Sequence, residues 1–170
     1  LWNAYSFFVT YARVDGWRPA AAAAAPPESP ANDLDQWILS RLEWTVQDVR
    51  EAMDACELQR AAGRFAGFIE DLTNWYIRRS RRRFWKSQDD TDKADAYATL
   101  HYVLVTFAQA AAPFIPFLAE VIYRNLRTAQ MPESVHLCDF PEPKTRYWDE
   151  ALDRRMARTL AAVGLGRFLR

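Results

Sequence analysis

The stretch "RFAGFIEDLTNWYIRRSRRRFW", Arg64 to Trp85, decides the fold class. Phe65, Phe68, Ile69, Leu72 and Tyr76 recur at helical spacing and form one apolar stripe at ~100° per residue. The same period continued reaches Arg79 and Arg83, so the core face of this helix turns cationic in its last two turns. Either the helix projects beyond its bundle there, or those arginines meet carboxylates, phosphates or another domain. Arg78, Arg81 and Arg82 fan around the other side, and Arg78 and Arg82, four apart, repel each other. The last twelve residues hold five arginines, four aromatic rings and no acid, in a chain with 22 basic and 22 acidic residues.

On either side of this helix the dominant period is also helical. Upstream, Leu1, Tyr5, Phe8 and Ala12 mark one face of a first helix that Gly16 ends. "RPAAAAAAPPESPAN" reads as part of a linker-like insertion over 17–33, its alanines fenced by Pro19 and by Pro26 and Pro27. A second helix starts at "NDLDQ", with Asn32 or Asp33 as cap and Gln36 completing a capping box from Asp33. Its expected buried stripe is Leu34, Ile38, Leu42, Val49, Met53 and Cys56. Downstream, Asp89, Asp90 or Thr91 caps a fourth helix with Leu100, Leu104, Phe107 and Ala111 inside. Pro113 and Pro116 force a bend or a restart. "MPESVHLCDFPEP" reads as an extended segment near 134–140. A final helix over 149–170 carries Leu152, Met156 and Leu160 on one face. The expectation is an all-α bundle of about five helices in a single domain spanning 1–170.

Half of the residues are apolar and 14% are aromatic, which fits a globular core and excludes a disordered chain. No apolar run reaches the ~20 residues of a membrane span, so no membrane partner is expected. Cys56 and Cys138 are too far apart for a disulfide framework or a zinc set, and His136 with Cys138 offers two ligands at most. No metal site and a reducing, cytoplasmic setting follow as expectations. His101 reads as a packing or surface histidine, and Glu70 and Asp71, which diverge on a helix, as partners for arginines such as Arg78 rather than a catalytic pair.

The basic helix end has three readings from chemistry alone. A helix C-terminus favours cations, which accounts for one or two arginines but not five with Lys86. Guanidinium forks match phosphate oxygens, and rings stack on unpaired bases, which points to a polyanion. Contact with a protein domain would use the same charge. Trp75 borders the buried stripe and reads as core. Trp85, away from the stripe, suits either stacking or domain contact.

In order along the chain, "LWNAYSFF", "NDLDQWILSRL", "IEDLTNWYIRRSRRRFW", "APFIPFLAEVIYRNL" and "ESVHLCDFPEP" resemble the anticodon-binding region of class I aminoacyl-tRNA synthetases of the isoleucine, valine and leucine group. "NWYIRRSRRRFW" is most similar to the isoleucyl family, in the branch shared by eukaryotes and some bacteria. The resemblance covers almost the whole chain. It implies a helical bundle that binds a tRNA, that of isoleucine, beside the catalytic domain of the same chain, in a monomer. It also implies an intact enzyme that joins isoleucine to tRNA with ATP and magnesium. Neither HIGH-type nor KMSKS-type signatures occur here, nor an editing domain, so this segment is expected to hold no catalytic residue and to need no cofactor. A valyl or leucyl relative, and an interdomain docking bundle with little RNA contact of its own, remain alternatives.

The family often has an Arg two residues after Trp-Asn-Ala, where Ser6 stands here. Asn3 then either faces RNA or holds backbone at a domain junction. The candidate RNA-binding residues are Arg78, Arg79, Arg81, Arg82, Arg83, Lys86, Trp85 and Asn3.

Overall fold

The computed structural model of the chain describes residues 1–19, 30–86 and 90–169. Its helices are α1 (Trp2–Val14), α2 (Asp33–Asp54), α3 (Leu58–Glu70), a π-helical segment (Asp71–Ile77), α4 (Arg78–Lys86), α5 (Asp90–Ala111), α6 (Pro116–Leu126) and α7 (Glu150–Phe168). Because α3, the π segment and α4 run on without a break, the described residues form six helical rods rather than about five. No strand occurs among them.

Asn32 caps α2, its side chain accepting from Leu34 N at 2.9 Å. The expected capping box does not form, because Gln36 donates instead to Pro30 O at 2.6 Å. Ile38, Leu42 and Val49 are buried as the stripe predicts, but Cys56 lies past the helix end, exposed, at φ 59°. It occupies the left-handed position that turns the chain into α3. Gly16 does the same after α1 at φ 65°, where only glycine is unstrained. The middle of the expected linker, 20–29, and the capping position at Asp89 lie outside the described residues.

α2 and α5 pack on each other at the centre, with α3 and α7 against α2 and with α1, α4 and α6 against α5. α5 is buried on nearly every side from Ala96 to Ala111, more than an amphipathic reading of Leu100, Leu104 and Phe107 provides. α5 stops at Ala111, and α6 restarts with Pro116 in its first turn, where a missing N–H costs nothing. The segment expected to be extended near 134–140 instead contains a 3-10 turn, Val135–Leu137, flanked by extended Ser134 and Cys138. Glu120 forces this turn by accepting from Ser134 Oγ at 3.0 Å and Val135 N at 2.9 Å.

Buried polar links hold the connecting segments down. Glu43, fully buried, accepts from Tyr102 Oη at 2.7 Å and from Lys144 N at 2.8 Å. Burial raises its pKa, and those donors oppose the rise. Trp44 and Trp148 stack at 4.2 Å, and Ser40 donates to Asp153 at 2.8 Å, so α7 is seated on α2. On α7, Leu152 is buried, and Met156 and Leu160 are partly buried, as their spacing predicts.

Candidate nucleic-acid interface

The π segment decides where the arginines point. A π turn holds more residues than an α turn, so it advances the register of everything after it. Before it, Phe65, Phe68 and Leu72 are buried on schedule; after it the buried positions are Tyr76, Ile77, Ser80 and Phe84. The expected continuation through Arg79 and Arg83 is thereby displaced by one residue. Ser80 and Phe84 take the core positions, and Arg79 is exposed.

Arg83 is set beside the core face. Its side chain is 11% exposed and its guanidinium grips Asp35, which is 0% exposed, with bonds of 2.8 and 2.7 Å. Its Nε and Nη2 also hold the Asp92 carboxylate at 2.9 and 2.7 Å. Tyr76 Oη donates to Asp35 Oδ1 at 2.7 Å. Burial, then the Asp35 charge, pushes the Tyr76 pKa well up. Burial works against the charge on Arg83, yet the bonds to Asp35 and Asp92 outweigh it and raise its pKa. Asp35 and Asp92 sit in the first turns of α2 and α5, so the network ties two helix N-termini to the end of α4. Of the two alternatives for a core-facing arginine, Arg83 realises the carboxylate partner. Asp71 does not pair with Arg78 as expected; it takes Arg41 of α2 at 3.0 Å.

Arg78, Arg81 and Arg82 stand on the exposed side of α4, with no carboxylate partner among the described residues. Trp85 is 56% exposed beside them. Trp75 is half-buried against the core, as expected, and carries two cations: the guanidiniums of Arg79 and Arg167 lie 5.5 and 5.9 Å from its ring centre. Lys86 ends α4, and its side chain lies outside the described residues. Asn3 is exposed on α1, one turn before Phe7, whose ring meets Phe84 edge-on at 5.1 Å. That contact lays the Asn3 helix against the helix of Trp85.

His101 is buried, bonded through Nε2 to Leu126 O at 2.7 Å, and burial lowers its pKa. It packs against Phe8 and Trp17 and serves the core, while His136 is exposed. Sequence reasoning missed the Asp35–Tyr76–Arg83–Asp92 network. Asp35 sits where acids are favoured by the helix dipole, which hid its pairing role. No helix among the described residues is long and apolar enough to cross a membrane.

The arrangement can grip a polyanion: three free guanidiniums on one helix side, an indole at its tip, and a buried tether that stops the tip from swinging. Comparison with known proteins accords with it. The family described as the anticodon-binding domain of tRNA ligase matches residues 35–170. The chain is 47% identical to the isoleucine–tRNA ligase of Chlamydia pneumoniae and 45% identical to that of Protochlamydia amoebophila, in each case over all of this chain. It is 47% identical to the isoleucine–tRNA ligase of Thermus thermophilus, again over its full length. In all three cases it spans 16% of the relative's own length.

Proposed function

Since the chain belongs to the family of anticodon-binding domains of tRNA ligases, we propose that it is the tRNA-gripping module of an isoleucine–tRNA ligase. In this reading Arg78, Arg81 and Arg82 hold tRNA phosphates, Trp85 stacks on an unpaired base, and Asn3 borders the same surface. Arg79 contributes charge from its place over Trp75. Arg83 is assigned to tethering α4, because its guanidinium is already engaged by two carboxylates. Lys86 adds a further cation at the helix end.

The observation that carries the reading is the acid-free row of exposed arginines on α4 beside a half-exposed indole. Arginine forks position a nucleic-acid backbone without reading sequence, while stacking and polar groups read unpaired bases. By this reading the whole protein joins isoleucine to its tRNA with ATP and magnesium, in the cytoplasm and as a monomer, with this module docked on a catalytic domain. No residue of this chain is assigned to ATP or metal chemistry. We take 1–170 as one such domain, supported by the packing of α1 into the shared core.

The test is tRNA titration at several salt concentrations. If about three phosphates are contacted in a single-stranded loop, the log–log salt slope is near −2. Replacing Arg81 and Arg82 together with alanine is expected to weaken cognate and noncognate tRNA alike and to flatten the slope to about −0.7. Unchanged affinity and slope would refute the phosphate role and favour docking of α4 on protein.

A further inference from the structure

We propose that the cleft between the C-terminal ends of α1 and α6 is a second nucleotide subsite, in which Arg13, Arg18 and Arg127 take an RNA phosphodiester and Trp17 faces its base. The inference rests on the reading that the chain binds tRNA, and it adds a contact outside α4.

The cleft has a volume of about 550 Å³, within the ~300–1,000 Å³ typical of small-ligand sites. Three arginines line it and no aspartate or glutamate does, in a chain with equal numbers of acids and bases. Arg13 and Arg18 are exposed, and none of the three forms an ion pair among the described residues. Arg127 keeps one nitrogen on Met131 O at 3.3 Å. Helix dipoles favour one cation at the end of each helix, which accounts for Arg13 and Arg127. They do not account for Arg18, beyond α1. Two half-charges at the helix ends leave the cleft cationic, and a phosphate relieves the repulsion among its guanidiniums.

The walls are fixed before any ligand arrives. The left-handed Gly16 folds the chain back, and Trp17 N donates to Ala12 O at 2.9 Å. The Trp17 indole stacks on Tyr97 at 5.5 Å and 21°, with Phe8 edge-on at 5.6 Å. His101 bonded to Leu126 O pins the end of α6 to α5. Asn125 commits its amide nitrogen to Val121 O, which leaves its carbonyl oxygen for a base edge. The Tyr97 ring that supports Trp17 also meets Phe84 at 4.9 Å. The cleft and the tip of α4 are thus one ring apart, and one bound strand can reach both. Such preorganisation lowers the ordering cost of binding.

The experiment titrates tRNA into the 170-residue chain at several salt concentrations, comparing the Arg13→Ala/Arg18→Ala double variant, the Arg18→Glu variant and the Arg81→Ala/Arg82→Ala variant. Melting curves accompany each. The first variant is expected to lose affinity about tenfold at an unchanged melting temperature, with the salt slope shallower by about 1.4 for two lost single-strand contacts. Charge reversal at Arg18 should lose at least as much. Full affinity in both cleft variants, with the Arg81/Arg82 variant weakened, overturns the subsite and leaves the α4 reading standing. Absence of tRNA binding by the unaltered chain overturns both.

Discussion

Replacing Arg83 with alanine separates its role from that of its neighbours on α4. The substitution removes two charged bonds and the countercharge from Asp35, a carboxylate with no exposed surface, and leaves it only the Tyr76 hydroxyl. Breaking a buried pair from one side costs about 3–5 kcal/mol. Asp92 is a third exposed, so solvent screens its share of the loss and it adds at most ~1 kcal/mol. With Tyr76 still donating, the lower end, about 3 kcal/mol, is the expected value. A domain of this size loses ~2–4 °C of melting temperature per kcal/mol, which gives a fall of about 6–12 °C. Thermal and urea unfolding measure it. Arg83→Lys keeps the charge but not the planar fork, and should fall between wild type and alanine. Adding Asp35→Asn to the alanine variant should recover part of the loss, because the stranded charge is gone. A fall of under 2 °C would refute the tether. So would a loss of tRNA affinity like that of the Arg81/Arg82 variant at an unchanged melting temperature.

The remaining predictions concern His101 and the π segment. Burial depresses the His101 pKa below its usual 6.5, so its stabilising contribution is full above pH 6.5 and is lost as pH falls through the folded value. His101→Gln should therefore show a shallower fall in melting temperature below pH 6.5 than wild type, and parallel curves would refute the assignment. Deleting the exposed Asn74 should convert the π segment to regular α-helix while leaving Ile77, Ser80 and Phe84 on the core side. The deletion should keep the circular dichroism of a folded bundle and lose mainly the Tyr76–Asp35 bond, whereas deleting Ala98 within α5 should unfold the chain. Equal damage from the two deletions would show that the π turn is not a one-residue insertion.

Much of this protein is written locally. The spacing of Phe65, Phe68 and Leu72, the cap at Asn32, the stop at Gly16 and the restart at Pro116 are set by backbone sterics and side-chain period, which act within one or two turns and so are legible in the sequence. The density of arginine on α4, and the acid-free context that marks it as a candidate interface, are legible for the same reason. What the periodicity could not place is which arginine faces what. A helix extrapolated at ~100° per residue puts Arg79 and Arg83 in the core. Packing between α2 and α5 instead holds a π turn over Asp71–Ile77, which puts Phe84 inside, exposes Arg79 and seats Arg83 on Asp35, 48 residues away in the chain. The burial of α5 on all sides, the cleft that gathers Arg13, Arg18 and Arg127, and the clasp of Glu43 on Tyr102 and Lys144 are of the same kind. Each is a meeting of residues distant in sequence. Their partners are chosen by which helix faces close together around a shared core, a choice that only the tertiary structure makes.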